Sequence, residues 1–271
     1  MRIIRFVDEA GQTRLGEDLG DGIAELLDGD PFTEMRPSGR RAAARALLAP
    51  VAPPNVYGVG LNYREHARQM GLEVPDHPIV FMKPTTAIAN PGEAILVPKC
   101  CRQGPEVDYE CELAVVIGRP ARDVPEREAL RYVFGYTVAN ELTARKWAKV
   151  SRTRGKCFDR FCPLGPAVVT ADEIPDPQNL ALRTTLNGAV MQHGNTADMI
   201  FPVARLVSYL SQDTTLLPGT VILTGTPPGA GFARVPPVFL RPGDVVEVEV
   251  EKIGILSNPV ASERAEATAA A

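Results

Sequence analysis

The stretch from Val107 to Ile117 constrains the fold most, because it joins a buried strand to two neighbouring acidic side chains. Its second half is a run of β-branched and apolar residues, which predicts a buried strand. Side chains at i and i+2 of a strand point to the same face, so we expect Glu110 and Glu112 side by side, about 7 Å apart. Such a pair predicts either a site for a hard cation, such as Mg²⁺, Mn²⁺ or Ca²⁺, or an edge strand with a solvated acidic face.

The composition is that of an ordinary globular protein, with 271 residues, 45% hydrophobic and 23% charged. The formal charge is −4 and Lys and Arg are scattered, which argues against nucleic-acid partners and against an electrostatic membrane anchor. No apolar run approaches the ~20 residues of a membrane span, and we see no signal-peptide pattern. The five cysteines lack a zinc-site spacing and indicate reduced thiols, which predicts a cytoplasmic protein.

Three regions are predicted. Residues 1–50 form a small N-terminal β-containing domain, in which Ser38–Leu48 is expected to be a short helix that Ser38 caps. Residues 54–260 form the main domain, after a stiff proline-rich connector. Residues 261–271 are an Ala-rich, frayed tail.

Strands outnumber helices in this pattern, and regular βα alternation is poor, so the sequence predicts an α+β fold on a large, mostly antiparallel or mixed sheet. Besides Val107–Ile117, the predicted strands are Arg2–Val7 with Gln12–Leu15 as hairpin partner, Val56–Gly60, Ile79–Pro84, Val133–Ala139, Ala181–Leu186, Val221–Thr224 and Val245–Glu251. The predicted helices are Asn62–Met70 with Asn62 as N-cap, Glu126–Leu130, one that starts at Glu141, and Asp198–Leu210.

Few other side chains suggest chemistry. His66 lies near the start of a predicted helix, where the helix dipole favours a neutral imidazole suited to a general base; the alternative is a surface or core histidine. Lys83 and Lys156 lie in apolar surroundings and either reach an anion in a pocket or extend to water. The loop Gly225–Gly231 follows a strand and would present backbone N–H groups to an anion, although it lacks the lysine of a P-loop.

These stretches fall in a recognisable order. The chain contains Gly60-Leu61-Asn62-Tyr63-x-x-His66, Phe81-Met82-Lys83-Pro84, Asp108-Tyr109-Glu110-Cys111-Glu112-Leu113, Gly135-Tyr136-Thr137-Val138-Ala139-Asn140, Lys156-Cys157-Phe158-Asp159, Gln192-x-Gly194-Asn195-Thr196, Leu223-Thr224-Gly225-Thr226-Pro227 and Pro242-Gly243-Asp244. Over residues 54–260 the sequence therefore resembles the fumarylacetoacetate hydrolase family.

The resemblance implies a mixed β-sandwich roll and, usually, a homodimer. It implies a Mg²⁺ or Mn²⁺ site, with Ca²⁺ as a further possibility, in which Glu110, Glu112 and Glu141 are the three carboxylate ligands. The metal would bind a small-molecule 2-oxo or 2-enol acid and stabilise its enolate. His66 resembles the family's base and Lys156 the lysine that supports the enolate charge. The positions matching the family's substrate pocket are Lys83, Gln192, Thr226 and Tyr63.

Two residues depart from the family pattern. Glu141 stands where an aspartate is typical and is one methylene longer, and Mg²⁺ demands near-octahedral geometry at about 2.0–2.1 Å. Gln69 stands three residues after His66, where family hydrolases usually have a glutamate that orients the imidazole and raises its basicity. A neutral amide still holds the ring but cannot stabilise an imidazolium by charge.

Three functions follow from the resemblance. The first is hydrolysis of a C–C bond in a β-diketo or acylpyruvate-like acid, the family default. The second is decarboxylation, tautomerisation or dehydration of a 2-oxo acid, which needs no activated water and which Gln69 favours. The third, of a different class, is a binding protein with a degraded site.

Overall fold

The computed structural model describes residues 1–102 and 104–262, and these are mainly β-strands in mixed sheets, as the predicted fold class requires. The strands are β1 Arg2–Val7, β2 Thr13–Asp18, β3 Ile23–Gly29, β4 Met35–Ala43, β5 Ala46–Leu48, β6 Val56–Gly60, β7 Ile79–Lys83, β8 Ile88–Ala89, β9 Ile95–Val97, β10 Val107–Asp108, β11 Cys111–Ile117, β12 Val133–Asn140, β13 Thr143–Ala144, β14 Cys162–Thr170, β15 Ala181–Leu186, β16 Ala189–Asn195, β17 Val221–Leu223, β18 Val245–Val250 and β19 Gly254–Ser262. The α-helices are α1 Arg64–Met70, α2 Arg145–Val150, α3 Arg152–Lys156 and α4 Val203–Leu210. Short 3₁₀ helices cover Thr85–Ala87, Glu126–Tyr132, Thr196–Asp198 and Gly231–Ala233.

The largest sheet has 12 strands, with the main path β4-β3-β2-β1-β14-β12-β11-β17-β6-β7 and with β5 and β8 attached to β1 and β14. A 5-stranded sheet runs β16-β15-β18-β19-β9, and β10 pairs with β13 alone. Most pairs are antiparallel, while β6 with β17, β8 with β14 and β9 with β19 are parallel. The sheets are therefore mixed, and β11 lies inside the largest one.

Strand β11 is buried along its whole length because a separate core packs on each of its faces. Leu113 and Val115 face a core shared with β15, β18 and α4, whereas Ala114 and Val116 face a second core next to β14 and β17. Each fully buried Leu or Val contributes about 1.5–3 kcal/mol to folding. Glu112 has the same parity as Ala114 and Val116, so its carboxylate lies at the end of an apolar row.

The N-terminal strands continue the largest sheet. Antiparallel pairing of β1 with β14 places Arg2 opposite Val169 and Ile3 opposite Val168. Phe6, which is fully buried, belongs to the same core cluster as Ala167 of β14. The domain boundary near residue 50 stays a prediction. Most of the predicted frayed tail, residues 263–271, lies outside the described residues. Its first two residues, Ala261 and Ser262, are not frayed, because they form the end of β19.

The predicted helix Ser38–Leu48 is wrong, because this segment forms the end of β4 and then β5. Strand β4 pairs with β3, with Ala43 opposite Ile23 and Ala42 opposite Ala24. The Ala- and Arg-rich composition favours a helix locally, but this non-local pairing overrides a weak propensity.

The predicted start of the first helix is also wrong. The N-cap of α1 is Tyr63, and no side chain caps it. Asn62 instead donates its side-chain amide to the carbonyls of Phe201 (3.0 Å) and Thr224 (2.8 Å), which ties the start of α1 to two distant segments.

Three other helix predictions need correction. The helix expected at Glu141 begins only at Arg145, since β13 intervenes. The helix expected from Asp198 begins at Val203, with Pro202 as its N-cap. The segment predicted as the helix Glu126–Leu130 is 3₁₀. No helix among the described residues is long and apolar enough to cross a bilayer.

Candidate active site

Three buried carboxylates meet where β11 and β12 pair. Glu112 lies in β11, Glu110 precedes that strand, and Glu141 directly follows β12. Cys111 pairs with Asn140, and the Glu141 N–H donates to the Glu110 carbonyl at 2.9 Å, so the antiparallel register brings the three residues together. One carboxylate oxygen from each lies within 4.8 Å of the other two. We call Glu110, Glu112 and Glu141 the acidic cluster.

Two lysines bind one side of the acidic cluster. The Lys156 ammonium donates to Glu110 at 3.2 Å, to the Thr143 hydroxyl at 2.7 Å and to Glu141. Lys83 is fully buried and pairs with Glu141. Burial disfavours the charge of Lys156, but Glu110 and Glu141 outweigh it and hold the pKa of Lys156 above its ordinary value. An ammonium therefore already neutralises part of the cluster.

Asp108 and Arg145 fix the position of Glu110. Arg145 donates to Asp108 at 2.7 Å and to Glu110 at 2.6 Å, and its guanidinium lies 3.8 Å from the centroid of the Phe232 ring. Asp108 also accepts the backbone N–H of Gly231 at 2.7 Å and of Phe232 at 3.0 Å. Burial alone would raise the pKa of Glu110, yet Arg145 and Lys156 bring it well below its usual value.

Glu112 has no cationic partner among the described residues. Its carboxylate accepts the N–H of Gly225 at 2.7 Å, and it is 2% exposed. Burial, reinforced by Glu141 and Glu110, raises the pKa of Glu112 well above its ordinary value. Gly225 makes this bond possible, because its φ is +92° and a Cβ there would lie 2.7 Å from that of Asn62.

The residues present fit a divalent cation. The network contains four buried carboxylates and three cationic side chains, so one negative charge is left over when all are ionised. The carboxylates are those of Asp108, Glu110, Glu112 and Glu141, and the cations are Lys83, Arg145 and Lys156. Carboxylate oxygens are the ligands that Mg²⁺ and Mn²⁺ prefer. The acidic cluster therefore has the donor set for such an ion, and Glu112 supplies its uncompensated charge.

His66 lies beside this cluster on α1 and is 6% exposed. Burial lowers its pKa, which the Glu110 charge and the Gln69 side chain partly oppose. Its Nδ1 atom is buried without a hydrogen-bond partner among the described residues, and its ring meets that of Phe232 edge-on at 6.1 Å. Burial thus favours the neutral imidazole, which can accept a proton.

Gln69 and Glu65 do not supply the charge that a family glutamate would. The Gln69 carbonyl oxygen accepts the N–H of Gly229 at 3.1 Å. The Glu65 carboxylate accepts a hydrogen bond from Nε of Arg68 at 2.9 Å, on the exposed side of α1. Within the described chain, no carboxylate is hydrogen-bonded to His66.

One cavity of about 480 Å³ connects these groups. Of the predicted site residues, it is lined by His66, Glu110, Glu112, Lys156 and Thr226. The lining also includes Arg145, Arg152, Thr143 and Phe232, together with apolar side chains such as Ile79 and Phe81.

The remaining predicted substrate ligands are not part of the cavity lining. Gln192 donates to Thr226 and to the Pro227 carbonyl and accepts from Cys111 and Thr184, so every polar atom of its amide is used within the protein. Tyr63 is fully buried in the apolar core, and its hydroxyl has no partner in the described part of the chain. Their predicted substrate contacts stay predictions, as does that of Lys83.

Sequence reasoning did not assign roles to Asp108, Arg145 or Thr143. A signal was present for the first two. Asp108 has the same strand parity as Glu110 and Glu112, and Arg145 follows Glu141 by four residues. Only the tertiary structure shows that these charges contact one another.

The protein matches a family model described as fumarylacetoacetate (FAA) hydrolase C-terminal over residues 55–261. The oxaloacetate tautomerase fahd2 of Xenopus laevis is 40% identical over 290 residues, covering 96% of this chain and 90% of that protein. The human oxaloacetate tautomerase FAHD2A is 45% identical over 219 residues, covering 79% of this chain and 69% of that protein.

Two solved structures are similar over nearly the whole chain. A 5-carboxymethyl-2-hydroxymuconate delta-isomerase from Mycobacterium smegmatis has a TM-score of 0.84 at 38% identity, covering 97% of this chain and 100% of that chain. A fumarylacetoacetate hydrolase from Exiguobacterium antarcticum has a TM-score of 0.86 at 35% identity, with the same coverage. The chain therefore belongs to the fumarylacetoacetate hydrolase family.

Proposed function

We propose that this protein is an enzyme that interconverts the keto and enol forms of a 2-oxo dicarboxylic acid, with oxaloacetate as substrate. The observation that carries the proposal is a buried His66 with no hydrogen-bonded carboxylate among the described residues, beside a cluster of carboxylates and a lysine. Relatives named oxaloacetate tautomerases, at 39–46% identity, support the same reaction.

Enolisation needs a base near a carbon acid and positive charge near the carbonyl oxygen, but no activated water. His66 would accept the proton from C3, and the electron pair of that C–H bond would become the C2–C3 double bond. Negative charge then develops on the C2 oxygen, and the positive charge of Lys156 in the cavity lining would stabilise it. Solvent would protonate that oxygen to complete the enol, while His66 would release the C3 proton to solvent, and the reverse steps would restore the ketone.

Glu110, Glu112 and Glu141 would hold Mg²⁺ or Mn²⁺, which when bound supplies Lewis-acid stabilisation of the enolate. The protein's own part is to orient these ligands. Arg145 holds Glu110, Gly225 holds Glu112, and Lys83 holds Glu141.

C–C bond hydrolysis is the second candidate, because His66 lines a cavity large enough for both substrate and water. It requires His66 to activate a water molecule for attack, whereas enolisation requires only that His66 accept a proton from carbon. Gln69 is neutral and Glu65 points to Arg68, so neither raises the basicity of His66 for that harder step. Decarboxylation shares the enolate but releases CO₂. The predicted homodimer and cytoplasmic location stay predictions.

The test follows three reactions of purified protein with Mg²⁺ or Mn²⁺. We expect rapid enol–keto conversion of oxaloacetate, with C3 deuterium exchange in D₂O and with neither acetylpyruvate cleavage nor pyruvate release above background. Chelation of the metal should abolish the conversion. Acetylpyruvate cleavage as the fastest reaction would contradict the proposal in favour of hydrolysis, and pyruvate from oxaloacetate would favour decarboxylation.

The variant Gln69→Glu sharpens this test. If the missing carboxylate limits hydrolysis, acetylpyruvate cleavage should rise by about 10-fold or more, and by more than tautomerisation, which needs no activated water. The two rates measured on the same preparation provide the control. An unchanged cleavage rate would remove Gln69 from the argument.

A further inference from the structure

Arg152 is the one cationic side chain of the cavity lining that has no partner among the described residues. The other two, Arg145 and Lys156, are held by carboxylates of the acidic cluster and by Asp108. The Arg152 side chain makes no hydrogen bond, ion pair or ring contact with any described residue. Its guanidinium therefore offers five unused donors to whatever enters the cavity.

Arg152 and Lys156 lie close to each other on α3. The two residues are the first and last of α3, four apart, so their Cβ atoms lie on one face, about 5–6 Å from each other. The Nη1 atom of Arg152 lies 3.7 Å from where a Cβ on Gly60 would be, and Gly60 lines the same cavity. The guanidinium thus lies against the end of β6, next to the cavity that Lys156 enters.

A four-carbon 2-oxo dicarboxylate matches this arrangement. Its terminal carboxyl carbons are separated by three C–C bonds of about 1.5 Å, hence by about 4 Å when extended. A substrate whose C1 and C2 oxygens lie at Lys156 and the acidic cluster would extend its C4 carboxylate into the cavity whose lining includes Arg152. Guanidinium and carboxylate form paired, charge-assisted hydrogen bonds.

We propose that Arg152 binds the second carboxylate of the substrate and selects dicarboxylic over monocarboxylic 2-oxo acids. The inference rests on the proposed 2-oxo acid chemistry of this cavity and names the residue that sets its specificity. Arg154 lies on the same helix but differs from Arg152 in its contacts. Its guanidinium lies 4.2 Å from the centroid of Phe158 and 5.3 Å from that of Trp147, and it does not line the cavity.

The test compares oxaloacetate with 2-oxobutyrate, which has a methyl group in place of the second carboxylate. C3 deuterium exchange is followed by NMR for wild type, Arg152→Gln, Arg152→Lys and the control Arg154→Gln. Arg152→Gln should lower kcat/KM for oxaloacetate by about 10- to 100-fold and leave that for 2-oxobutyrate within about twofold. Arg152→Lys should fall between, because it keeps the charge without the planar fork. Arg154→Gln should match wild type.

A binding measurement separates this inference from the proposed reaction. Calorimetry with malate and 2-hydroxybutyrate reports the second carboxylate without any turnover, and it also decides the matter if 2-oxobutyrate is not turned over. A preference for malate that Arg152→Gln removes supports the assignment even if the enzyme tautomerises neither acid. Equal effects of Arg152→Gln on both members of a pair, or no effect on either, would overturn it.

Discussion

At the scale of single residues, Glu112 carries the least compensated charge of the site. Arg145 and Lys156 bind Glu110, and both lysines bind Glu141, but Glu112 receives only the Gly225 N–H from the described residues. The pKa of Glu112 is raised well above its usual value, chiefly by burial. In the absence of metal, the folded protein therefore holds this proton to a higher pH than the unfolded chain does.

This proton gives a pH-dependent stability. The pKa of Glu112 is higher in the folded state than in the unfolded chain. The contribution of Glu112 to the free energy of unfolding is therefore complete below its unfolded pKa of about 4.3 and is lost as pH rises through its folded pKa. With EDTA present, the free energy of unfolding should fall as pH rises from about 5 to 8, by at most about 1.4 kcal/mol per pH unit from this group. Glu112→Gln keeps an acceptor for Gly225 and should flatten that slope.

The same variant should lose the stabilisation that Mg²⁺ or Mn²⁺ gives wild type, since one of the three ligands is gone. Denaturant unfolding at several pH values, with EDTA and with metal, measures both effects. Glu65→Gln, at a carboxylate on the exposed side of α1, serves as the control. Identical pH slopes for wild type and Glu112→Gln would contradict this account.

At the scale of elements, the loop Gly225–Gly231 contributes to the site through hydrogen bonds from its backbone N–H groups. Its N–H groups at Gly225, Gly229 and Gly231 donate to Glu112, Gln69 and Asp108, respectively. The sequence predicted that this loop would present N–H groups to an anion. Two of the acceptors are the protein's own carboxylates, and the loop thereby fixes the cavity wall.

Gly231 tests the importance of that attachment. A Cβ there would lie 1.8 Å from the Val238 carbonyl oxygen and 2.7 Å from the Asp108 carboxylate, so Gly231→Ala must displace both groups or the loop backbone itself. We expect a loss of stability of about 1–3 kcal/mol and a clear fall in kcat/KM of the folded protein. Tm and activity, normalised to folded protein, provide the measurement.

Gly243→Ala is the matched control. Gly243 has a φ of +97°, and no described atom lies within 4 Å of the position that a Cβ would take. Alanine there is strained without a clash, and Gly243 is not part of the cavity lining. The variant should lower Tm but leave kcat/KM unchanged. Equal effects of the two variants on kcat/KM would show that the loop attachment does not shape the site.

The strands whose apolar patterning is local were predictable from the sequence. Ala181–Leu186 has its predicted bounds, and Val56–Gly60 also matches. The prediction failed where a distant partner decides the structure, as at Ser38–Leu48, which pairs with neighbouring strands rather than forming a helix. The acidic cluster was identified through family resemblance, whereas the contacts among Asp108, Arg145 and Glu110 depend on tertiary packing, which the strand parity of Asp108 and the spacing of Arg145 do not reveal by themselves.

At the scale of the whole molecule, residues 1–50 share both a sheet and a core with the segment that carries the site. Strand β1 pairs with β14, Phe6 packs in a cluster that includes Ala167, and Arg2 donates to the Ile253 carbonyl at 2.5 Å. Strand β14 in turn pairs with β12, whose end positions Glu141. Stability should therefore be coupled between the N-terminal strands and the acidic cluster.

Phe6→Ala measures this coupling. Phe6 is fully buried, and its truncation should cost about 3–5 kcal/mol. The chain has a single tryptophan, Trp147 on α2 beside the site, so its fluorescence reports unfolding there, while far-UV circular dichroism reports all strands. We expect both signals to shift together to lower denaturant, in one transition, because breaking β1 from β14 removes support from the sheet. Val235→Ala, at a side chain that is 99% exposed, should shift neither. An early circular-dichroism transition with an unmoved Trp147 transition would mean that residues 1–50 unfold alone.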